Sequence, residues 1–251
     1  MADFDNVSTE FIDYYDQVRG HVRERLTQEN LEEYLPSMPT TALDLGGGDG
    51  RDTEWLALQG YTVTLVDPST EMINKAEHRF RGSGLPVILM NLDSEELEKE
   101  LGPQKFDVVL SHGVLMYCLD DPEAHVATIS RHTKQGGLVS LLTKGFGGAQ
   151  DRLVGQADAI AELEKTEQVV NNLGKLVWAF RPAHVQEMLG RHALELIEWR
   201  GVRVMSDDDT RQVDNLRHEE LKQILDAERY LGIEDSTRNF GQMVHYLARK
   251  V

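Results

Sequence analysis

Thr41-Ala42-Leu43-Asp44-Leu45-Gly46-Gly47-Gly48-Asp49-Gly50 is the stretch that decides the fold of this 251-residue chain. A short apolar run passes directly into glycines, and the helical pattern of residues 51–59 follows. This order predicts a strand, a glycine turn and a helix. Glycines lack a Cβ atom and tolerate positive φ angles, so the backbone of such a turn can approach a ligand closely. The stretch therefore predicts a nucleotide-type binding site.

A second apolar run, residues 61–66, ends at an acid that follows the first glycine by about twenty residues, Asp67. In nucleotide-binding folds an acid at this place accepts hydrogen bonds from the two hydroxyls of a ribose. Together, the glycine turn and Asp67 predict a ligand that contains a ribose.

The spacing of the glycines separates the candidate cofactors. A dinucleotide fingerprint needs a third small residue three positions after its second glycine, where this chain has Arg51 or Thr53. Asp44 before the turn and Asp49 within it would repel a pyrophosphate, but they suit a cationic ligand. The pattern therefore favours S-adenosylmethionine (SAM) over NAD. A glycine-rich turn that binds no cofactor is the remaining alternative.

The composition narrows the class of protein. The chain has 26 basic and 43 acidic residues and a net charge of −17, which disfavours indiscriminate binding to nucleic acid or to anionic membranes. No apolar stretch reaches the roughly 18 residues of a membrane span, and the N-terminal residues lack a signal-peptide pattern. A lone cysteine, Cys118, excludes an internal disulfide and a cysteine-cluster metal site. We therefore expect a cytoplasmic protein with no metal and with neither a membrane nor DNA as partner.

Strand and helix patterns alternate after a first helix, which is predicted from Phe11 to about Leu35. Strands are predicted near residues 41–45, 61–66, 86–90, 106–111 and 138–143, and helices near 51–59, 70–80, 94–101 and 122–134. Gly136-Gly137 would form the turn out of the last of these helices. This rhythm indicates a doubly wound α/β fold with a mostly parallel sheet.

The rest of the chain departs from this rhythm and then returns to it. A helical segment from Gly145 to Asn172 interrupts the alternation, and we expect it to cap the strand ends. Helices near 182–190 and 214–231 and strands near 194–204 and 242–249 follow. The final strand is expected to be antiparallel to its predecessor.

With these motifs in place, the chain resembles the class I SAM-dependent methyltransferases, and among them the bacterial tRNA 5-carboxymethoxyuridine methyltransferases. The resemblance is carried by residues 43–50, 67–69, 72–73, 106–115, 201–204 and 228–230. It implies a Rossmann-like fold with a mostly parallel seven-stranded sheet and an antiparallel final strand. We divide the chain into a helical lid (1–40), a SAM-binding core (41–144), a helical cap (145–190) and the C-terminal part of the core sheet (191–251).

The resemblance also implies which residues bind the cofactor. The candidates are Arg23, Asp44, Gly46, Gly47, Gly48, Asp67, Asn91, Leu92, Asp93 and His112. Gly46 and Gly47 would line the methionine part of SAM, Asp67 would hold the ribose, and Arg23 would pair with the carboxylate of the cofactor. Residues 91–93 would border the adenine, and His112 would close the pocket.

Three of these residues have an alternative structural interpretation. Arg23 could lie on a solvated helix face, and His112 could be a core histidine with its hydrogen bonds satisfied. Asp93 could be the N-cap of the helix that begins at Ser94 or Glu95.

The resemblance implies a tRNA partner, and tRNA binding needs cations along the phosphates. Residues 144–181, where relatives are lysine-rich, carry balanced charges in this chain. Phosphate contacts would therefore come from basic residues at the two ends of the chain: Arg19, His21, Arg23, Arg25, Arg191, His192, Arg200, Arg203, Arg211, Arg217 and Lys222. We expect Arg19, Arg200 and Arg203 to gather where the methyl group emerges.

The chemistry of methyl transfer explains why no catalytic residue is predicted. A carboxylate acceptor is already ionised at neutral pH, so the enzyme needs to align it with the methyl group but not to deprotonate it. The leading hypothesis is O-methylation of the carboxylate of a modified tRNA wobble uridine. The alternatives are a methyltransferase for a small-molecule acid or hydroxyl metabolite, and a SAM-binding protein without catalysis.

Overall fold

A computed structural model describes residues 14–37 and 40–251. Its helices are α1 (Val18–Glu32), α2 (Arg51–Leu58), α3 (Thr70–Phe80), α4 (Ser94–Leu101), α5 (Pro122–His132), α6 (Phe146–Arg152), α7 (Ala157–Thr166), α8 (Pro182–Arg191) and α9 (His218–Ile233). Its strands are β1 (Thr41–Leu45), β2 (Thr62–Asp67), β3 (Val87–Asn91), β4 (Phe106–His112), β5 (Thr133–Lys144), β6 (Gln168–Val170), β7 (Leu176–Trp178), β8 (Leu194–Val202) and β9 (Met243–Lys250). Short 3-10 turns lie at Leu115–Tyr117, Val213–Asn215 and Arg238–Phe240.

Seven of the strands form one sheet in the order β3-β2-β1-β4-β5-β9-β8. Strands β1 to β5 are parallel to one another, and β9 runs antiparallel to both of its neighbours, β5 and β8. The register places Leu45 at the end of β1 opposite Val66 near the end of β2. The predicted doubly wound, Rossmann-like α/β fold with an antiparallel final strand is therefore confirmed.

Helices cover both faces of the sheet, which explains why consecutive residues of its central strands β1, β2 and β4 are buried instead of alternating between buried and exposed. In β4, Val108 packs with Leu31 of α1 and Leu56 of α2 on one face. The next residue, Val109, packs with Ile129 of α5 on the other face, because successive side chains of a strand point in opposite directions. With both faces covered, the carboxyl ends of the strands are the place left for a ligand.

The boundary between α5 and β5 differs from the prediction. The helix ends at His132, before the predicted residue 134, and β5 begins at Thr133. Thr133 pairs with Phe106, and the register then shifts between Phe106 and Val108. Gly136-Gly137 consequently lies inside an irregular strand, where Gly136 has a φ of 75°, and it does not form a turn after the helix. Pairing with β4 across the sheet has overridden the local helical pattern.

The segment from Gly145 to Asn172 is only partly helical, so this prediction was wrong in its last residues. Helices α6 and α7 are present, but β6 then pairs antiparallel with β7. In the connecting turn, Asn171 Oδ1 accepts hydrogen bonds from the amides of Leu173 and Lys175, at 3.0 Å each. The β-branched pair Val169-Val170 before an Asn-rich turn is a strand signal that the preceding helical periodicity obscured.

The predicted first and last helices are both present, but their boundaries differ from the prediction by a few residues. The predicted start of the first helix at Phe11 lies outside the described residues, and α1 ends at Glu32, before Pro36. Helix α9 begins at His218, four residues after the predicted start, because a short 3-10 turn occupies residues 213–215.

Close packing of α9 against β8 depends on Gly232. A Cβ atom at this position would lie 2.5 Å from the backbone oxygen of Gly201 in β8. A strand backbone that is paired in a sheet cannot move aside easily, so the helix would have to shift outward. The packing therefore requires glycine at position 232.

We expect Gly232→Ala to lower the free energy of unfolding by about 1–3 kcal/mol, because the added methyl group overpacks a contact between backbones. Gly190→Ala is the matched control: Gly190 also lies in a helix, but a Cβ there would meet no atom within 4 Å. The control should be neutral or more stable by up to about 1 kcal/mol, since alanine favours helix. Urea unfolding of both variants measures the difference, and equal stabilities would contradict the packing argument.

Candidate functional site

A cavity of about 700 Å³ opens at the carboxyl ends of the parallel strands. Seven of the ten predicted cofactor residues line it: Arg23, Gly46, Gly48, Asp67, Leu92, Asp93 and His112. The other three, Asp44, Gly47 and Asn91, lie next to lining residues but do not line the cavity themselves. The structure thus brings together, in one cavity, predicted residues from four strand ends and one helix.

The glycine turn is held by the neighbouring strand. The amides of Gly46 and Gly47 donate to the backbone oxygen of Val66 in β2, at 2.8 and 3.3 Å. Gly46 and Gly48 have φ angles of 75° and 58°, in the left-handed region that favours glycine. The turn therefore exposes backbone to the cavity where other residues would place side chains.

Asp67 lies at the end of β2 and is largely buried. Its Oδ2 accepts a hydrogen bond from the Gly48 amide at 3.0 Å, and its Oδ1 accepts one from the Ser69 amide at 2.9 Å. These bonds fix the carboxylate at the wall of the cavity. Each carboxylate oxygen has more than one lone pair, so the same group can still accept from ribose hydroxyls.

Asp44 lies beneath the turn and supports it. Its carboxyl accepts a hydrogen bond from the Thr53 hydroxyl at 2.7 Å, and only 2% of the residue is exposed. Burial, together with the nearby charge of Asp52, raises the pKa of Asp44 to about 7. Gly47 packs against this side chain, since a Cβ there would lie 2.7 Å from Asp44 Oδ2. Asp44 and Gly47 thus shape the turn from below.

Residues 91–93 follow β3. Asn91 Nδ2 donates to the backbone oxygen of Asp67 at 2.9 Å, so its side chain links the ends of β3 and β2. Asp93 is the N-cap of α4: its Oδ1 accepts from the amides of Glu95 and Glu96, and the Glu96 side chain accepts in return from the Asp93 amide. The capping interpretation is therefore confirmed, and Asp93 lines the cavity as well.

Arg23 reaches the cavity from α1. Its Nη1 donates to the Tyr15 hydroxyl at 2.5 Å, and its side chain is half-buried. Burial alone would lower the pKa of Arg23, but the phenols of Tyr15 and Tyr14 and the Asp52 carboxylate raise it above its ordinary value. Arg25, two residues further along the helix and therefore on its other side, is exposed and pairs with Glu29. Arg23 is thus a fixed cation at the cavity wall and not part of a solvated helix face.

His112, at the end of β4, both lines the cavity and has both ring nitrogens engaged. Its Nδ1 lies 2.8 Å from Asp52 Oδ2, and its Nε2 lies 2.8 Å from Ser140 Oγ. The hydrogen bonds of Asp52 and Ser140 hold the ring in one orientation, so the satisfied-histidine interpretation and the pocket position are both correct.

A buried hydrogen-bond chain continues from Ser140. Its Oγ lies 2.7 Å from His245 Nε2, and His245 Nδ1 lies 3.4 Å from Asn30 Nδ2 in α1. Burial lowers the pKa of His245 well below its ordinary value, so this ring is neutral. With Nε2 of His245 protonated, every group can donate to the next from Asn30 through His245, Ser140 and His112 to Asp52. The chain connects α1 to β9, β5 and β4.

Three basic residues line the cavity beyond β4, and of these the sequence singled out Arg203 but neither Lys144 nor Arg152. Lys144 ends β5, and Arg203 follows β8. Burial removes solvent from the Lys144 ammonium and Arg203 repels it, so the pKa of Lys144 falls to about 8. Arg203 pairs with Asp207 and donates to the Tyr14 hydroxyl, and Arg152 Nη2 lies 3.0 Å from Asp207 Oδ2. Burial and mutual proximity mark this cluster, and neither is a property of the sequence pattern.

The expected gathering of Arg19, Arg200 and Arg203 is only partly observed. Arg19 and Arg203 line the cavity, whereas Arg200 does not. The Arg200 guanidinium instead pairs with Glu33 and Glu198, both at 2.7 Å. Glu33 follows α1 and Glu198 lies in β8, and these two carboxylates neutralise the charge of Arg200 away from the cavity. The prediction for Arg200 was wrong.

Every helix in residues 14–37 and 40–251 is too short or too polar to span a membrane. Within the same described part of the chain, no group of three or more His, Cys, Asp or Glu side chains is arranged to hold a metal ion.

Comparison with known proteins agrees with this geometry. Residues 43–141 match the family model described as a methyltransferase domain. The chain is 26% identical over 145 residues to the tRNA 5-carboxymethoxyuridine methyltransferase of Escherichia coli K12, covering 55% of each protein. It is 32% identical over 123 residues to a ubiquinone biosynthesis O-methyltransferase of Methylococcus capsulatus, covering 49% of this chain and 51% of that protein. The chain spans about half the length of the curated relatives it matches.

Solved structures share the fold over a longer stretch. The 1,6-didemethyltoxoflavin-N1-methyltransferase of Burkholderia thailandensis, solved with 1,6-didemethyltoxoflavin and S-adenosylhomocysteine, has a TM-score of 0.58 and 16% identity. The match covers all of this chain and 92% of that one. The family model thus identifies residues 43–141 as a methyltransferase domain, and the solved structure shows that the same fold extends over the whole chain.

We expect Asp67→Asn to weaken the binding of S-adenosylhomocysteine about 10-fold or more, because hydrogen bonds from ribose hydroxyls to a charged acceptor are the strong ones. Asp158→Asn, which removes the same charge from an exposed site on α7, is the control. Titration calorimetry gives both dissociation constants. An unchanged constant for Asp67→Asn would remove Asp67 from the ribose site.

Arg23→Gln should likewise cost about 10-fold in affinity, since a charge-assisted pair with the cofactor carboxylate is lost at a site shielded from water. Arg25→Gln removes an exposed arginine from the same helix and should leave the affinity unchanged. The same calorimetric experiment decides the question. Equal affinities for the two variants would mean that α1 is scaffold and takes no part in cofactor binding.

Proposed function

We propose that this chain, whose residues 43–141 form a SAM-dependent methyltransferase domain, transfers the methyl group of SAM to a carboxylate on its acceptor. One observation carries the proposal: Asp67 lies on one side of the cavity, and on the other side three cations, Lys144, Arg152 and Arg203, surround a single lining carboxylate, Asp207, so that positive charge is in excess there. Asp67 ends β2, whereas Lys144 ends β5, and two strands lie between them. At roughly 4.8 Å between neighbouring strands, this places the two strand ends about 14 Å apart.

The acidic side of the cavity fits SAM. The turn at Gly46 and Gly48 brings backbone to the cavity, Asp67 provides acceptors for ribose hydroxyls, and Arg23 provides a cation for the carboxylate. Leu92 and Asp93 border the place for the adenine. When bound, SAM supplies an electrophilic methyl group, and the role of these residues is to hold it in one position toward the cationic side.

The cationic side fits a carboxylate acceptor. Lys144 can balance the charge of a carboxylate while water is excluded, and Arg152 and Arg203, which share the Asp207 carboxylate, have further N–H donors that can orient it. Such an acceptor needs no general base. Two possible nucleophiles near the cavity are unsuited to catalysis: burial raises the pKa of the Cys118 thiol to about 11, and Ser111, which is hydrogen-bonded to His125, is fully buried.

The first candidate acceptor is the carboxylate of a modified uridine at the wobble position of tRNA. The similarity to the Escherichia coli tRNA 5-carboxymethoxyuridine methyltransferase supports it. Arg19 lines the cavity, where it could contact a phosphate beside the entering base.

The second candidate is a small-molecule acid, and the pairing of the surface arginines favours it. Arg191 pairs with Glu123, Arg211 with Asp209 and Glu220, and Arg229 with Glu29 and Asp226. Arginines that are already paired with carboxylates attract phosphates weakly. Together with a net charge of −17, they limit the surface that could hold an RNA.

The assay uses methyl-labelled SAM with total tRNA from a strain that lacks the endogenous enzyme, and a panel of small carboxylic acids in parallel. Transfer to tRNA should fall steeply with added salt, since phosphate contacts release counterions. Arg19→Glu should abolish it without weakening SAM binding, whereas Lys99→Glu, an exposed residue of α4, should not.

The outcomes separate the candidates. Transfer to small acids but not to tRNA at low salt would establish the second candidate. Transfer to neither, by a folded protein that binds SAM, would contradict the carboxylate proposal and favour a SAM-binding protein without this activity.

A further inference from the structure

The loop from Arg203 to Asp207 follows β8 and contributes two side chains to the cavity beside Lys144: Arg203 and its ion-pair partner Asp207. Arg203 has a φ of 57°, which is unfavourable for a residue with a side chain. Only 12% of its side chain is exposed. The backbone at Arg203 therefore needs support from elsewhere in the structure to stay in this conformation.

Glu228 of α9 provides that support. Its Oε2 accepts a hydrogen bond from the amide of Val204 at 2.9 Å, and its Oε1 accepts bonds from Met205 at 3.0 Å and Ser206 at 2.8 Å. The residue is completely buried. Three consecutive backbone amides thus converge on one carboxylate, immediately after the strained residue.

Glu228 contacts the loop but not the space for the ligands, because it does not line the cavity. A buried carboxylate is costly unless its oxygens are hydrogen-bonded, and here the loop amides satisfy them. The amides of residues 204–206 in turn need acceptors, because they lie beyond the end of β8 at Val202 and are no longer paired in the sheet. The carboxylate and the loop therefore fix each other.

We propose that Glu228 is a positioning residue for the acceptor: by binding the amides of residues 204–206 it holds Arg203 in its left-handed conformation, with the guanidinium directed into the cationic side of the cavity. The proposal rests on the proposed function, because it assigns Arg203 to the acceptor carboxylate. Glu228 itself touches neither cofactor nor acceptor.

Glu228→Gln is the test variant because it is isosteric. One oxygen remains to accept from Met205 and Ser206, but the new amide group would face the Val204 amide, donor against donor. Glu219→Gln, an exposed residue of the same helix, removes the same charge without this contact.

In steady-state assays with the best carboxylate acceptor, Glu228→Gln should raise the acceptor KM about 10-fold, the effect of losing a hydrogen bond to a charged group. The dissociation constant of S-adenosylhomocysteine should not change. In an Arg203→Lys background the same substitution should add little, because both changes act on one guanidinium. Two results would overturn the proposal in favour of a general structural role. One is that the effects of the two substitutions on the acceptor KM multiply in the double variant, and the other is that Glu228→Gln weakens S-adenosylhomocysteine binding as much as it raises the acceptor KM.

A second measurement does not depend on activity. Burial is the main cause of the Lys144 pKa of about 8, and the charge of Arg203 at the same cavity lowers it further, so displacement of Arg203 should raise that pKa in part toward the ordinary lysine value. NMR titration of the Lys144 side chain, assigned with Lys144→Arg, follows this in wild type, Glu228→Gln and Glu219→Gln. An unchanged Lys144 pKa in folded Glu228→Gln would overturn the proposal.

This readout also separates two failures. If the wild type methylates no carboxylate, the proposed function is contradicted, and the Lys144 titration alone decides whether Glu228 positions Arg203. If Glu228→Gln does not fold, Glu228→Asp replaces it: the charge stays, but the shorter side chain cannot reach all three amides, and the same changes in acceptor KM and Lys144 pKa are expected.

Discussion

Parallel pairing of β1 with β2 on one side and β4 on the other brings three strand ends to one edge of the sheet. There the Val66 carbonyl accepts hydrogen bonds from Gly46 and Gly47, and Asp67 accepts one from Gly48. The glycine turn is therefore shaped by the adjacent strand as much as by its own residues. Helix α2 starts directly after it, so this pairing also sets where Asp52 meets His112.

The cavity is polarised because its two sides are built from different parts of the sheet. The parallel strands β1 to β3 contribute backbone and the Asp67 carboxylate, whereas β5 and the loop after β8 contribute Lys144 and Arg203. Burial destabilises the charged forms of Asp67, Lys144 and Arg203, and the surrounding hydrogen bonds and ion pairs compensate for part of that cost. Such an arrangement is suited to two ligands of different charge that meet between them.

Helix α1 is bound to the sheet by polar contacts as well as by apolar ones. Asn30 joins the buried chain through His245, Ser140 and His112, and Arg200 Nη1 donates to Asn30 Oδ1 at 2.8 Å. Because buried polar groups are costly when unpaired, the chain favours one position of the helix over sliding alternatives. The Arg23 side chain on the same helix is thereby carried to a defined place at the cavity.

Local patterns determined most of the fold: the short continuous apolar runs predicted β1 to β4, and the Cβ-free turn and the acid after β2 marked the cavity, because both are properties of neighbouring residues. Contacts between distant residues could not be derived in this way. The Val169-Val170 strand, the capture of Arg200 by Glu33, the burial of Lys144 and the convergence of three amides on Glu228 each depend on which segments the tertiary structure brings together. Electrostatic interactions and burial depend on distances in the folded structure, so only the tertiary structure determines which groups interact.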